Sequence, residues 1–216
     1  PNGGYAASFV SMLEDVLATC VERGIKVISN AGGLDPAGCA DAVRALADRL
    51  GVSLTVAHVE GDDLRPSMAG LLAGGHPLTN LDTGEGLASV GPEILTANAY
   101  LGGRGIATAL AAGADVVVTG RVTDAALVVG PAAWWHGWAW DDWDALAGAV
   151  VAGHVIECGA QATGGNYSFF TEVPGLEHPG FPIAEVAGDG SAVITKHRGT
   201  GGRVDTGTVT AQLLYE

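Results

Sequence analysis

An arginine and an aspartate stand directly after an apolar run that predicts a buried strand. The run is DVVVTG (115–120), and Arg121 and Asp124 follow it in the segment RVTD. A guanidinium group offers a planar set of donors that matches a carboxylate or a phosphate. Asp124 would orient that group, move a proton or cap the next helix. A structural arginine–aspartate pair is the alternative, but a charge at the carboxyl end of a strand faces the expected cleft, so we favour catalytic roles.

Two other predicted strands end in amide or glycine residues. SNAGG carries Asn30, Gly32 and Gly33, and TANAYLGG carries Asn98 and Tyr100. Glycines let backbone N–H groups approach an anion, and an amide donates to a developing oxyanion. A tight turn explains the glycines equally well, and the amide would equally fix a neighbouring loop. We predict that Asn98 acts in catalysis and that the other four residues contact the substrate.

The segment ECGAQATGGNYS (157–168) follows a predicted helix with a thiol, glycines and small polar side chains. Cys158 would be a nucleophile if a nearby base or cation favoured its thiolate, but a helix C-terminus has the opposite effect. A buried structural cysteine is a further alternative. We predict a substrate-binding loop in which Cys158 lies beside the ligand and stays a catalytic candidate. The binding residues would be Gln161, Gly164, Gly165 and Asn166.

A metal centre is not predicted. His154, Glu157 and Cys158 share a helix face by their spacing, and metals use these ligand types. The other histidines show no motif spacing that would supply further ligands. We predict no metal and no cofactor.

A basic cluster occurs in TKHRGTGGRVDT (195–206). Lys196, Arg198 and Arg203 surround three glycines and precede a predicted helix, in a chain with 10 Lys+Arg and 24 Asp+Glu. Cations, exposed amides and a helix start are what a phosphate needs. We predict phosphate binding, for example of a coenzyme A ester; the alternative is an ordinary solvated turn after a hairpin.

All five tryptophans lie in one segment, WWHGWAWDDW (134–143). Dense aromatic side chains line apolar ligand pockets, but they more often pack helices together or form subunit contacts. We favour packing or a homo-oligomer contact through Trp134–Trp143.

The elements that must position these residues alternate between strands and helices. This order predicts an α/β fold with three layers, a mostly parallel sheet with helices on both faces, and a C-terminal β-hairpin. Residues 1–170 would form the core, and 171–216 a hairpin plus helix packed on it, within the same domain. Ligands of such sheets bind beyond the carboxyl ends of the strands. We predict strands at 25–30, 52–59, 93–102 and 115–120, a hairpin at 181–196, and helices at 6–23, 36–51, 64–72, 103–114, 122–135, 141–158 and after Asp205 or Thr206.

The composition excludes several classes of partner. The net charge of −14 argues against nucleic acid and anionic membranes, because both require a basic face. No apolar run reaches the roughly 18 residues that span a bilayer. The N-terminus shows no secretory signal, so we expect a cytoplasmic protein with a small-molecule substrate.

Several long motifs, in order along the chain, are similar to one family. KVISNAGGLDPAGCA, TANAYLGG, AAGADVVVTGRVTDAAL, VAGHVIECGAQATGGNYS and FPIAEVAGDGSAVITK resemble the acyclic terpene utilisation family AtuA, and the resemblance covers residues 4–216. It implies a bacterial protein of citronellol- or geraniol-type terpenoid catabolism, a pathway that runs through coenzyme A thioesters.

The resemblance leaves the reaction open. We expect an enzyme of lyase, hydratase or hydrolase type that acts on a terpenoid or branched acyl-CoA thioester, with coenzyme A present only as part of the substrate. The alternative is a non-catalytic binding or assembly subunit. Family members usually carry a further N-terminal segment and more chain after QLLYE (212–216), so we expect this chain to be a fragment, in which a site shared with that N-terminal segment would be incomplete.

Overall fold

A small parallel sheet lies at the centre of the molecule, for which a computed structural model describes residues 4–89 and 94–215. Its strands are β1 (Val27–Ser29), β2 (Val56–Val59) and β3 (Val116–Thr119), in the order β1-β3-β2. Val116 is paired with the first residue of both neighbours, so the three strands are in register and their carboxyl ends meet at one rim. All four residues of β3 are buried, as expected for a central parallel strand.

Alternate residues of β3 face two separate cores. Val116 and Val118 join a cluster with helices α1 (Ala7–Glu22) and α2 (Pro36–Leu50). Val117 points the opposite way, because side chains alternate along a strand. It packs in a second cluster with helices α4 (Arg104–Ala111) and α5 (Ala126–His136). The predicted layered α/β fold, with a parallel sheet and helices around it, is confirmed.

The segment predicted as a strand at 93–102 is the main error in the predicted secondary structure. Its described part, 94–102, forms only isolated bridges, between Asp63 and Asn98 and between Leu101 and Val122. The backbone of Leu101 bonds to Arg121 and Thr123, so this segment pairs with loops and not with another strand. Before it, α3 (Met68–Ala73) follows a 3₁₀ turn at Arg65–Ser67, and residues 74–86 form an exposed loop.

The C-terminal elements pack on one another. Helix α6 (Trp143–Ile156) carries the antiparallel hairpin of β4 (Pro182–Val186) and β5 (Ala192–Lys196), as predicted, and also contacts α7 (Thr206–Tyr215). The hairpin turn lies so close to α6 that a side chain at Gly148 would overlap the carbonyl oxygen of Gly190. Among the described residues, no helix is long and apolar enough to cross a membrane. The division at residue 170 stays a prediction.

Candidate functional site

A buried carboxylate joins the loops at the rim of the sheet. Asp62 follows β2 and is 3% exposed. Its Oδ2 accepts hydrogen bonds from the side-chain amide of Asn98 and from the backbone N–H of Arg121, both at 2.9 Å. A side chain at Gly120 would collide with this carboxylate. Asp62 was not among the site residues predicted from the sequence; the signal that points to it is its position after a strand, at the same rim as the other polar residues.

The guanidinium group of Arg121 is held from one side and exposed on the others. Its Nη2 donates to the Tyr100 hydroxyl at 2.8 Å, and its carbon lies 5.1 Å from the centre of that ring. The hydrogen bond to Tyr100 is the main cause that raises the pKa of Arg121, to which Asp124 and Asp62 add by their charges. In residues 4–89 and 94–215, no carboxylate oxygen lies within ion-pair distance of Arg121, and its guanidinium group bonds to Tyr100.

Four of the residues predicted from sequence line one hollow of about 430 Å³. Its wall includes the segment after β1, the segment before α4 and the start of the loop after β3. The lining residues are Gly4, Gly33, Leu34, Thr96, Asn98, Tyr100 and Arg121. These four residues therefore lie at one rim of the sheet, whereas Asn30 and the cysteine–glycine segment, which was predicted as a substrate-binding loop, do not line this hollow.

Asn30 and Gly32 lie at the same end of the sheet but do not line that hollow. The carbonyl oxygen of Asn30 accepts the N–H of Gly33 at 3.2 Å, which closes the turn. Gly32 is buried, and a side chain there would overlap the carbonyl oxygen of Thr119 at the end of β3. Asp124, near the start of α5, is exposed, like Arg121. Their predicted contacts with a substrate stay predictions.

A second hollow, of about 400 Å³, shares Leu34 and Asn98 with the first. Its other side is acidic, but two of its carboxylates are already engaged. Asp35 accepts the N–H of Gly38 at the start of α2, and Asp63 forms an ion pair with Arg65 at 2.7 Å. The cation of this hollow, Arg65, is thus engaged by Asp63, whereas Arg121 at the first hollow forms no such ion pair with the described residues.

The cysteine–glycine segment packs against the C-terminal elements. Thr163 is buried, donates to the carbonyl oxygen of Gly180 at 2.7 Å and accepts the N–H of Arg203 at 2.8 Å. The Asn166 amide donates to Gln212 of α7 at 2.8 Å. These bonds attach the segment to Gly180, just before the hairpin, to Arg203 and to α7.

The other predicted residues of that segment differ in exposure. Gly164 is buried, whereas Gln161 and Gly165 are exposed and Cys158 is half-buried. The Cys158 thiol donates to Glu157 at 3.2 Å. None of them lines either rim hollow, so their predicted contact with the substrate stays a prediction. The described residues contain no group of three or more His, Cys, Asp or Glu that could hold a metal ion.

Two of the three basic residues near the hairpin bond within the chain, and the third is exposed. Arg203 pairs with Asp205 and lies 5.5 Å from the centre of the Tyr167 ring. Lys196 donates to the carbonyl oxygen of Thr200 at 2.7 Å, and Arg198 is exposed. Phosphate binding by these residues stays a prediction.

The tryptophan segment divides into packed and exposed rings. Trp134 packs on the second core, and Trp138 donates to the carbonyl oxygen of Gly188 in the hairpin turn at 2.7 Å. Trp135 and Trp143 are 74% and 71% exposed. Trp134 and Trp135 also line an open, mainly apolar groove of about 650 Å³ between β1, α5 and β4. Packing therefore accounts for part of the segment, and a homo-oligomer contact stays a prediction.

The family of the chain follows from a comparison with known proteins. No curated protein and no solved structure matches the chain significantly. One family model, described as acyclic terpene utilisation family protein AtuA, matches residues 1–216, which is the whole of the given sequence. The chain therefore belongs to the acyclic terpene utilisation family AtuA.

Proposed function

We propose that the chain is an enzyme of citronellol- or geraniol-type terpenoid catabolism that binds the carboxylate or thioester end of its substrate at Arg121. The observation that carries this proposal is the exposed guanidinium group, anchored to Tyr100 at 2.8 Å and open to a hollow of about 430 Å³. A substrate of this family's pathway is either a terpenoid carboxylate or a coenzyme A thioester. The carboxylate offers its anion, and the thioester its carbonyl oxygen, to the remaining donors of Arg121.

Polar groups beside Arg121 would act on the carbonyl carbon of that substrate. The amide of Asn98 uses one N–H on Asp62, which leaves the second N–H to polarise a carbonyl oxygen. Asp124 follows Arg121 by three residues and would orient the substrate or move a proton. Cys158 has no part in this proposal, because its segment packs against the C-terminal elements.

The binding step is tested by calorimetry with geranate, geranoyl-CoA and free coenzyme A. We expect Arg121→Ala to weaken geranate binding about tenfold, because it removes a charge-assisted pair. Arg104→Ala is the matched control, since Arg104 is another exposed arginine and lies over Trp140. Equal losses in both variants, or none in either, would contradict the proposal. Tighter binding of geranoyl-CoA than of geranate and of free coenzyme A would identify the thioester as the substrate.

The chemical step is tested separately. The wild-type protein is incubated with a panel of terpenoid acyl-CoA esters, and products are followed by mass spectrometry. We expect one ester to be consumed by the wild type and by Arg104→Ala, and not by Asp124→Ala. The mass change of the product would distinguish hydration, cleavage and thioester hydrolysis.

A second candidate function is a non-catalytic assembly subunit. The observation that favours it is the exposure of Trp135 and Trp143, together with an open apolar groove beside the edge strand β1. In that case the panel of esters shows no turnover, and sedimentation detects self-association or a partner complex. Replacing both tryptophans with serine would dissociate the complex, and Arg121→Ala would leave it intact.

A further inference from the structure

The burial of Asp62 needs an explanation that the fold alone does not give. An aspartate is rarely buried without a cation, because removing the charge from water has a large free-energy cost. Within residues 4–89 and 94–215, no ion pair involves Asp62. The carboxylate instead accepts two hydrogen bonds, both on Oδ2, from groups that belong to two other loops.

The two partners of Asp62, Asn98 and Arg121, are the residues to which we assign substrate binding. The bond to Arg121 is made to the backbone, so it fixes the start of the side chain and leaves the guanidinium group to Tyr100 and a ligand. The bond to Asn98 fixes the orientation of its amide group. The adjoining N–H of Ala99 donates to the carbonyl oxygen of Asp62 at 2.8 Å, which adds a third link between the same loops.

The backbone beside the carboxylate of Asp62 leaves just enough room for it. Gly120, directly before Arg121, lies so close to Asp62 that any side chain there would displace the carboxylate. Glycine at position 120 leaves room for the carboxylate, and the N–H of Arg121 donates to it. Both features therefore favour the contact between Asp62 and the loop after β3.

We propose that Asp62 is a positioning residue that sets Arg121 and Asn98 at the spacing required by one anionic ligand. This inference rests on the proposed function, because it concerns the same hollow. A positioning role and a purely electrostatic role of Asp62 predict opposite effects on anion binding. The charge of Asp62 repels an anion at Arg121, so removing that charge alone would strengthen anion binding. Removing a positioning bond would weaken it.

The test compares two neighbouring carboxylates. Asp62→Ala and Asp63→Ala each remove one carboxylate near the hollow, with its charge and its acceptor oxygens, but the Asp63 side chain bonds to Arg65 and to neither Arg121 nor Asn98. We expect Asp62→Ala to weaken geranate binding about tenfold in calorimetry, and Asp63→Ala to leave it equal or tighter. Equal or tighter binding in Asp62→Ala would overturn the proposal.

A second variant keeps the charge and moves the carboxylate. Gly120→Ala retains Asp62 but forces it away from its donors. We expect weaker geranate binding than in the wild type, at an unchanged far-UV circular dichroism spectrum. Unchanged affinity would overturn the proposal, and this variant decides the question if Asp62→Ala does not fold.

A measurement without ligand separates this inference from the proposed function. Hydrogen exchange reports the N–H of Arg121, which bonds to Asp62, and the N–H of Thr123, which bonds to Leu101 at 2.9 Å. We expect Asp62→Ala to accelerate exchange at Arg121 at least tenfold and to leave Thr123 unchanged. Unchanged exchange at Arg121 would overturn the positioning role. If the wild type does not bind geranate while this difference in exchange is found, the proposed ligand is wrong and the positioning role stands.

Discussion

The rim of the parallel sheet and the C-terminal region have similar polar sequences but different structures. Both contain glycines, amides and basic side chains next to the end of a strand or helix. At the rim, Arg121 is anchored to one hydroxyl group and has further donors exposed at a hollow. In the C-terminal region, Arg203 pairs with Asp205, and Asn166 bonds to Gln212, so these groups bind one another.

This difference shows that the composition of a polar motif does not reveal whether the motif binds a ligand. Glycine-rich and basic segments supply donors, but the donors bind a ligand only if the fold leaves them without an internal partner. Buried polar groups are almost always satisfied, so a segment that packs into the core uses its donors there. At the rim, Asp62 accepts the backbone N–H of Arg121, and the guanidinium group of Arg121 stays exposed.

The largest expected effect tests how tightly the C-terminal region is packed. A side chain at Gly201 would overlap the backbone of Gly175, so we expect Gly201→Ala to lower the free energy of unfolding by roughly 3 kcal/mol. Gly199→Ala is the control, since Gly199 has a positive φ of 79° but open space around it, and we expect a loss of about 1 kcal/mol. Denaturant unfolding measures both, and equal losses would contradict the tight packing.

The next effect separates the two arginines. We expect Arg121→Ala to weaken geranate binding about tenfold while changing the free energy of unfolding by less than about 0.5 kcal/mol, because Arg121 is exposed. Arg203→Ala should do the reverse and cost about 1 kcal/mol of stability, since it loses the Asp205 pair and the contact with Tyr167. If Arg203→Ala also weakened binding, the contrast between the regions would fail.

A smaller effect concerns the exposed member of the basic cluster. The phosphate prediction requires Arg198→Ala to weaken the binding of free coenzyme A about threefold, because Arg198 is exposed whereas Lys196 and Arg203 bond within the chain. Calorimetry with Arg23→Ala, another exposed arginine, is the control. Equal affinity in Arg198→Ala and the wild type would remove the phosphate site and would strengthen the contrast.

The smallest effect is a dependence of stability on pH that belongs to the C-terminal region. The N–H of Thr208 donates to Asp205, and this bond, aided by Arg203, lowers the pKa of Asp205. A lowered folded-state pKa means that the stabilisation is complete above the unfolded value of about 3.9 and is lost as the pH falls through the folded value. We expect the loss to be below about 1 kcal/mol, because solvent screens this exposed pair.

Unfolding experiments between pH 2 and 6 measure this dependence. The matched variant is Asp205→Asn, which retains a side-chain acceptor but does not titrate. Its stability should fall less on acidification than that of the wild type. Identical pH profiles would show that Asp205 does not contribute.

Local sequence patterns predicted most elements of the fold. Apolar periodicity and the Pro36 start predicted α2, and alternating residues around GDG (188–190) predicted the hairpin. The strand expected at 93–102 was wrong because its apolar residues resemble a strand, while its backbone partners belong to the loops after β2 and β3. Local composition does not contain this information.

The site was predictable only in part, for a similar reason. The rule that ligands bind beyond the carboxyl ends of parallel strands predicted that polar residues after the strands share one rim, and Gly33, Asn98, Tyr100 and Arg121 line one hollow there, whereas Asn30 does not. Asp62 was missed because an aspartate after a strand resembles a surface residue. Its role depends on partners that lie 36 and 59 residues further along the chain.

The contact between Gly148 and Gly190 has a consequence for redesign of this protein. Because the backbones touch there, a methyl group added at Gly148 would push the turn away from α6. Engineered labels or crosslinks should therefore be introduced on the outward side of β5. Val193, which is 59% exposed, offers an attachment point that leaves the helix–turn junction undisturbed.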